Sequence, residues 1–218
     1  KKFILHVVPT TIPVLLNEIF WALGMTTYKI AYSRIGIEAI AAINVAESIG
    51  NLFFVALLGL SNATLIMIGI KIGEHDYTLA RRWARRFVIT SLAVGAVMGV
   101  FELLFAPIFA GFFNISPHLK MTAIRLLYIH AIFLPVRSFN ITVIVGVLRA
   151  GGDTRFSMFS EMFGVWAVGV PLAFIGVYLL KAPIVALYLL VCMEEVAKML
   201  IGLVRLKGGK WLNDLTVH

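Results

Sequence analysis

The sequence is poor in cysteine and in charged residues, and each shortage excludes a class of protein. The only cysteine is Cys192, so an intrachain disulfide and a zinc site built from several cysteines are excluded. Charged residues make up 14% of the chain, whereas a soluble domain usually has about 25%. Hydrophobic residues make up 61%, and the mean hydropathy is +0.96. This is the composition of a membrane protein.

Motifs of enzymes and of nucleotide-binding proteins are also missing. The sequence has no phosphate-binding Walker loop, no nucleophile motif and no dinucleotide-binding fingerprint. The five histidines are scattered over different segments and indicate no metal site. The formal charge of +8 comes from basic residues between apolar segments, which indicates membrane topology rather than nucleic-acid binding. We therefore expect no enzyme activity, no cofactor, no metal and no nucleic-acid partner.

What the chain does contain is six long apolar segments. A helix needs about 20 apolar residues to cross a hydrocarbon core of roughly 30 Å. Stretches with Gly, Pro, Asn or charge separate the segments and indicate turns. In the third segment, Gly95 and Gly99 have the spacing that lets two helices approach closely. The sequence predicts an all-α polytopic membrane protein with one domain, 1–218, of six transmembrane helices. The predicted spans are about 3–28, 40–70, 87–113, 126–148, 156–180 and 182–204.

The distribution of lysine and arginine predicts the orientation of these helices. Cytoplasmic loops carry an excess of basic residues, and the set on one side here outnumbers the other, twelve to five. The larger set is Lys1, Lys2, Lys71, Arg81, Arg82, Arg85, Arg86, Arg149, Arg155, Arg205, Lys207 and Lys210. The smaller set is Lys29, Arg34, Lys120, Arg125 and Lys181. We expect a multi-pass protein of a cell membrane, a bacterial inner membrane, with both termini in the cytoplasm.

The connection between the fourth and fifth segments is the most specific motif, Gly146-Val-Leu-Arg-Ala-Gly-Gly-Asp-Thr-Arg155. Its glycines accept positive φ and its aspartate can bond its own backbone, which favours a tight turn. The run resembles a loop that follows the fourth helix of each six-helix half in multidrug and toxic compound extrusion (MATE) transporters. Pro9 followed by Glu18, and the tail Gly208-Gly-Lys-Trp-Leu-Asn213, are also similar to sequences of this family.

The resemblance covers the whole chain but only one half of a transporter. It implies the C-terminal six-helix lobe of a twelve-helix protein, and a start at Lys1 without methionine agrees with a piece of a longer chain. The implied function is secondary active multidrug efflux, the export of organic, often cationic compounds in exchange for H⁺ or Na⁺. The implied partners are the lipid bilayer, the N-terminal lobe of the same transporter and small organic substrates. Sodium-coupled members carry an aspartate where this chain has Ser138, which favours H⁺ as the coupling ion.

Ionisable residues inside the spans are the candidates for a functional site. A charge at mid-membrane costs about 2.5–3.5 kcal/mol on insertion scales, so each one needs an explanation. Glu18 follows Pro9 and Pro13 in the first span and lies roughly 22 Å along a helix from Phe3. We expect a buried carboxylate that binds the coupling ion. The alternative is a structural carboxylate bonded to a neighbouring helix.

Further candidates for a cavity or an ion pair lie on the fourth and sixth spans. Arg137 is expected to pair with a carboxylate, because an unpaired buried charge is costly. Glu194, Glu195 and Lys198 have the i, i+3 and i+4 spacing that allows pairing on one helix, and a purely structural role is the alternative. Asn140 could bond across helices or contact a ligand. We expect local partners to satisfy three single carboxylates, and the lining of an aqueous cavity is the alternative for each: Glu47, Glu102 and Glu161.

Two other functions remain open from the sequence. A flippase for lipid-linked oligosaccharides, of a related fold, would need a more cationic cavity to hold a pyrophosphate, and Arg137 is the only deep arginine. A non-transporting membrane scaffold or subunit would leave Glu18 and the loop motif without a purpose.

Overall fold

The computed structural model describes residues 2–213, with side chains from residue 11 onward. Six helices follow one another through short turns, and no strand occurs among these residues. The helices are Lys2–Ser33, Ile37–Gly73, Tyr77–Gly111, Pro117–Leu148, Thr154–Tyr178 and Ile184–Lys207. The all-α fold of six helices is confirmed. Lys1 and the side chains of Lys2 and Pro9, which entered the predictions, lie outside the described part.

Four of the described helices, the second to the fifth, are long and apolar enough to cross a membrane. The second and third contain 37 and 35 residues. At about 1.5 Å per residue they are longer than a hydrocarbon core of roughly 30 Å requires. The sixth helix carries three charged residues close together, Glu194, Glu195 and Lys198. These three side chains are buried against other helices, so they do not face lipid.

The fourth helix is the centre of the bundle. In the most apolar stretch of this helix 67% of the residues are buried, against 22–28% in the corresponding stretches of the second, third and fifth helices. The third helix packs against it through two glycines. A Cβ atom at Gly95 would lie 2.7 Å from Cβ of Ser138, and one at Gly99 would lie 2.5 Å from the carbonyl oxygen of Ala131. The close helix approach predicted from the glycine spacing is therefore confirmed.

Two helices change to the wider π geometry along part of their length. The segments are Thr142–Leu148 at the end of the fourth helix and Phe163–Gly169 within the fifth. π-Helical turns are rare and are often found at functional sites. They also change which side chains face a neighbouring helix, which matters for the site described below.

The predicted tight turn between the fourth and fifth helices is present and is packed against the end of the chain. Gly152 has a positive φ of 72°. A Cβ atom at Gly151 would lie 2.1 Å from the carbonyl oxygen of Trp211, so only glycine allows this contact. The side chain of Asp153 does not cap the fifth helix. Its carboxylate accepts a hydrogen bond from Nε of Arg205 at 2.7 Å, because the sixth helix ends beside the turn.

The third helix begins with an amphipathic basic segment. Asp76 caps it by accepting a hydrogen bond from the backbone N–H of Leu79 at 3.0 Å, and this bond lowers the pKa of the Asp76 carboxyl. Ala80 and Ala84 are buried against the bundle. The opposite side exposes Arg81, Arg82, Arg85 and Arg86. The basic face is therefore free to meet anionic lipid head groups.

Candidate functional site

A cleft of about 330 Å³ opens between the first and second helices. The fourth and sixth helices form its floor. Trp21, Tyr32 and Phe54 give it aromatic walls, and the pair formed by Lys29 and Glu47, 3.0 Å apart, lies on its rim with both side chains partly exposed. Such a pocket, mostly apolar with a few polar groups, is typical of binding sites for small molecules.

A cluster of three carboxylates around one ammonium group lies in the floor of this cleft. Nζ of Lys198 is 3.3 Å from Glu161, 3.4 Å from Glu194 and 3.3 Å from Glu195. The Lys198 side chain is only 5% exposed, and the carboxylates are 6–14% exposed. Arg137 approaches Glu195 at 3.8 Å. Buried charges are stable only when paired in this way.

Uncharged side chains complete the cluster. The hydroxyl of Tyr28, from the first helix, donates a hydrogen bond to Oε2 of Glu194. Nδ2 of Asn140 donates to both the backbone oxygen and Oε2 of Glu195, at 2.8 and 2.7 Å. The other amide atom, Oδ1 of Asn140, is buried without a hydrogen-bond partner among the described residues.

Two glycines of the fifth helix make room for this cluster. A Cβ atom at Gly164 would lie 2.4 Å from Cγ of Lys198, and one at Gly169 would lie 2.6 Å from Oε2 of Glu194. Both glycines belong to the π-helical segment. Because neither glycine has a side chain, Lys198 and Glu194 can lie close to the backbone of the fifth helix.

A second buried pair lies beside the cleft. Nδ1 of His130 is 2.9 Å from both carboxylate oxygens of Glu102, and the side chains are 8% and 0% exposed. Glu102 was expected to have a local partner, and its partner comes instead from the neighbouring fourth helix. His130 itself lines the cleft.

The expectation that Glu18 is buried was wrong for this lobe. Its side chain is 56% exposed, and its carboxylate accepts a hydrogen bond at 2.9 Å from Arg149, at the end of the fourth helix. Position along the sequence gives distance along a helix, but it does not show whether another helix covers that side. The fourth helix ends beside Glu18, so the Glu18 side chain remains exposed there.

The structure brings five of the six predicted site residues together and leaves Glu18 apart. The five are Arg137, Asn140, Glu194, Glu195 and Lys198. The expected pairing of Arg137 with a carboxylate, and of Lys198 with its own helix, is confirmed. Tyr28 was missed as a member of the site, and Glu161, for which a place in a cavity was only the alternative, belongs to it. Lys198 already has two acidic neighbours on its own helix, so the spacing of residues does not indicate a third partner from another helix.

Comparisons with known sequences match this chain to membrane transporters. The sequence model of the MatE family matches residues 13–175. The chain is 33% identical over 129 residues to the uncharacterized transporter YisQ of Bacillus subtilis, which covers 58% of this chain and 28% of YisQ. It is 27% identical over 146 residues to the probable multidrug resistance protein NorM of Photorhabdus laumondii, which covers 67% and 32%. The chain thus spans about a third of the length of these curated relatives.

Solved structures share the fold. A MOP superfamily transporter from Pyrococcus furiosus superimposes with a TM-score of 0.85 at 21% identity, over 95% of this chain and 46% of that chain. A crystal structure of MATE in the bent conformation gives the same TM-score, identity and coverage. The six helices therefore match somewhat less than half of a larger transporter fold.

Proposed function

Because the chain belongs to the MatE family of membrane transporters, we propose that it forms one six-helix lobe of a secondary active antiporter. The complete transporter exports organic, often cationic compounds in exchange for protons. The observation that carries this proposal is the buried cluster of three carboxylates around Lys198 in the cleft floor.

The charge balance of the cluster favours the binding of one further positive charge. Glu161, Glu194 and Glu195 face two cations, Lys198 and Arg137, so one carboxylate is in excess when all are ionised. A buried excess charge is costly unless something neutralises it. Either a proton or an organic cation in the cleft can do so. Because each relieves the same excess, binding of one disfavours the other, which is the requirement for antiport.

The hydrogen bond from Tyr28 connects this exchange to helix movement. Tyr28 belongs to the first helix, and its hydroxyl donates to Glu194 on the sixth. A proton on Glu194 removes the charge that holds both Tyr28 and Lys198. The contact between the first and sixth helices therefore changes with the occupancy of the cluster. In transporters, such a change opens one side of a central site and closes the other.

A second lobe is part of the proposal, since alternating access requires two bodies that move against each other. The cleft between the first and second helices is lined by several polar and charged side chains, and lipid cannot satisfy such groups in the hydrocarbon core. The homologous N-terminal lobe would cover this side.

An excess of carboxylates in the cleft also argues against a flippase that holds a pyrophosphate.

The proposed orientation has both termini in the cytoplasm of a bacterial inner membrane. Cysteines introduced at the exposed positions Arg34 and Arg155 should react with a membrane-impermeant reagent from opposite sides. Reaction of both from one side would exclude the arrangement.

The coupling proposal is tested by comparing Glu194→Gln with Glu18→Gln in the complete transporter. Inverted membrane vesicles with an imposed pH gradient would report the movement of ethidium, a fluorescent organic cation. We expect Glu194→Gln to abolish pH-driven transport at normal expression and Glu18→Gln to retain most of it. Loss in Glu18→Gln alone would return the coupling role to the first helix, as the sequence predicted. Normal transport by both variants would overturn the proposal.

A further inference from the structure

His130 and Glu102 form a buried pair that the proposed exchange at Glu194 does not use. Glu102 lies on the third helix with its side chain 0% exposed, and both of its oxygens are 2.9 Å from Nδ1 of His130. A hydrogen bond between two helices needs only neutral groups such as asparagine or serine. A carboxylate at this position is costly unless a positive charge accompanies it.

The imidazole ring connects this carboxylate to the cleft. His130 lines the cleft, and its second nitrogen, Nε2, points toward Gly50 of the second helix. A Cβ atom at Gly50 would lie 3.0 Å from Nε2, so a larger residue at position 50 would crowd this edge of the ring. No described residue forms a hydrogen bond with Nε2, whereas Nδ1 is held by Glu102. One nitrogen is therefore fixed and the other can accept a proton.

The charged groups that face His130 come from three helices. They are Glu102 on the third, Arg137 on the fourth and Glu195 on the sixth. The second helix presents Gly50 to the ring and contributes Glu47 to the same cleft. Glu195 already pairs with both Arg137 and Lys198. Glu102 therefore depends on His130 for compensation of its charge.

We propose that His130 and Glu102 are a second proton-binding site of the cleft, separate from the cluster around Lys198. A proton from the cleft binds Nε2, which produces an imidazolium whose Nδ1–H donates to the Glu102 carboxylate. Its release leaves a neutral ring and an uncompensated buried carboxylate. The use of this site in transport rests on the proposed function, but proton binding itself does not.

The test is a pH titration of the histidine ring nitrogens by ¹⁵N NMR, on the complete transporter in lipid nanodiscs. The His130 signals are assigned by their absence in His130→Gln. We expect them to change from the neutral to the doubly protonated pattern within about pH 4 to pH 9, the range in which histidine changes charge in proteins. A single neutral tautomer, or a permanently charged ring, over this whole range would overturn the proposal.

An exposed histidine on the same helix, His118, serves as the control for His130. His118 lies 3.6 Å from Glu38, but those side chains are 81% and 77% exposed. Glu102→Gln should move the His130 midpoint by at least about one pH unit, whereas Glu38→Gln should move that of His118 much less. Equal small shifts would mean that Glu102 does not hold the proton. Because these signals do not depend on transport, their outcome is independent of the Glu194→Gln experiment.

Discussion

Glu18 and Glu194 are both carboxylates within predicted transmembrane segments, yet they have opposite surroundings. Glu18 has a side chain that is 56% exposed and one ion-pair partner, Arg149. Glu194 is 6% exposed and lies against Lys198 and the hydroxyl of Tyr28. An exposed pair contributes little to stability because solvent screens it, whereas a buried group depends on every partner. The difference predicts that the partners of Glu194 contribute more to stability than the partner of Glu18 does.

Removal of the cation from the buried cluster should have the largest effect. Lys198→Met leaves three carboxylates to face Arg137 alone, and breaking a buried pair typically costs about 3–5 kcal/mol. We expect a large drop in the midpoint of thermal unfolding and in the yield of monodisperse protein. The control is Lys29→Met, which breaks a pair whose side chains are 53% and 39% exposed. Its expected cost is about 0–1 kcal/mol. Equal drops in both variants would contradict the contrast between buried and exposed pairs.

Filling the space beside the cluster should have an intermediate effect. In Gly169→Ala the new methyl group would meet the Tyr28 hydroxyl and the Glu194 carboxylate. Overpacking of this kind typically costs about 1–3 kcal/mol. Gly59→Ala is the matched control, because nothing lies within 4 Å of its Cβ position, and helix propensity predicts a gain of roughly 0.5–1 kcal/mol. Thermal unfolding of both variants measures the difference. A stabilised Gly169→Ala protein would show that the glycine is not required by the cluster.

The exposed pair should show the smallest effect. A double-mutant cycle with Glu18→Gln and Arg149→Gln should give a coupling free energy of about 0.2–1 kcal/mol, as solvent-exposed ion pairs do. The midpoint of thermal unfolding of the four proteins provides the measurement. A coupling of about 3 kcal/mol or more would mean that the pair behaves as a buried one. That result would remove the distinction between the two carboxylates.

Local spacing made much of the fold and part of the site predictable. Apolar runs of sufficient length gave the six helices, and the i, i+3 and i+4 positions of Glu194, Glu195 and Lys198 placed their charges on one helix face. Gly95 and Gly99 predicted close packing for the same reason. Each of these inferences needs only geometry within one helix.

Geometry within one helix does not predict contacts between helices that are far apart in the sequence. Tyr28 meets Glu194 across 166 positions of sequence, and Glu161 meets Lys198 across 37. The two π-helical segments had no recognised signal, although Gly164 and Gly169 in the second one leave room for Lys198 and Glu194. The exposure of Glu18 depends on where other helices end, which a pattern within one helix does not contain.

The turn between the fourth and fifth helices has a consequence for the paths by which the lobe can change shape. The Arg205–Asp153 ion pair, the hydrogen bond of 2.9 Å from the Asn213 N–H to the Gly151 oxygen, and the contact with Trp211 all join this turn to the end of the sixth helix. These contacts hold three helix ends together. The π-helical segment Thr142–Leu148 directly precedes this junction, and Phe163–Gly169 follows the first 9 residues of the fifth helix. Their looser backbone bonding would let the cleft change width while the junction stays closed.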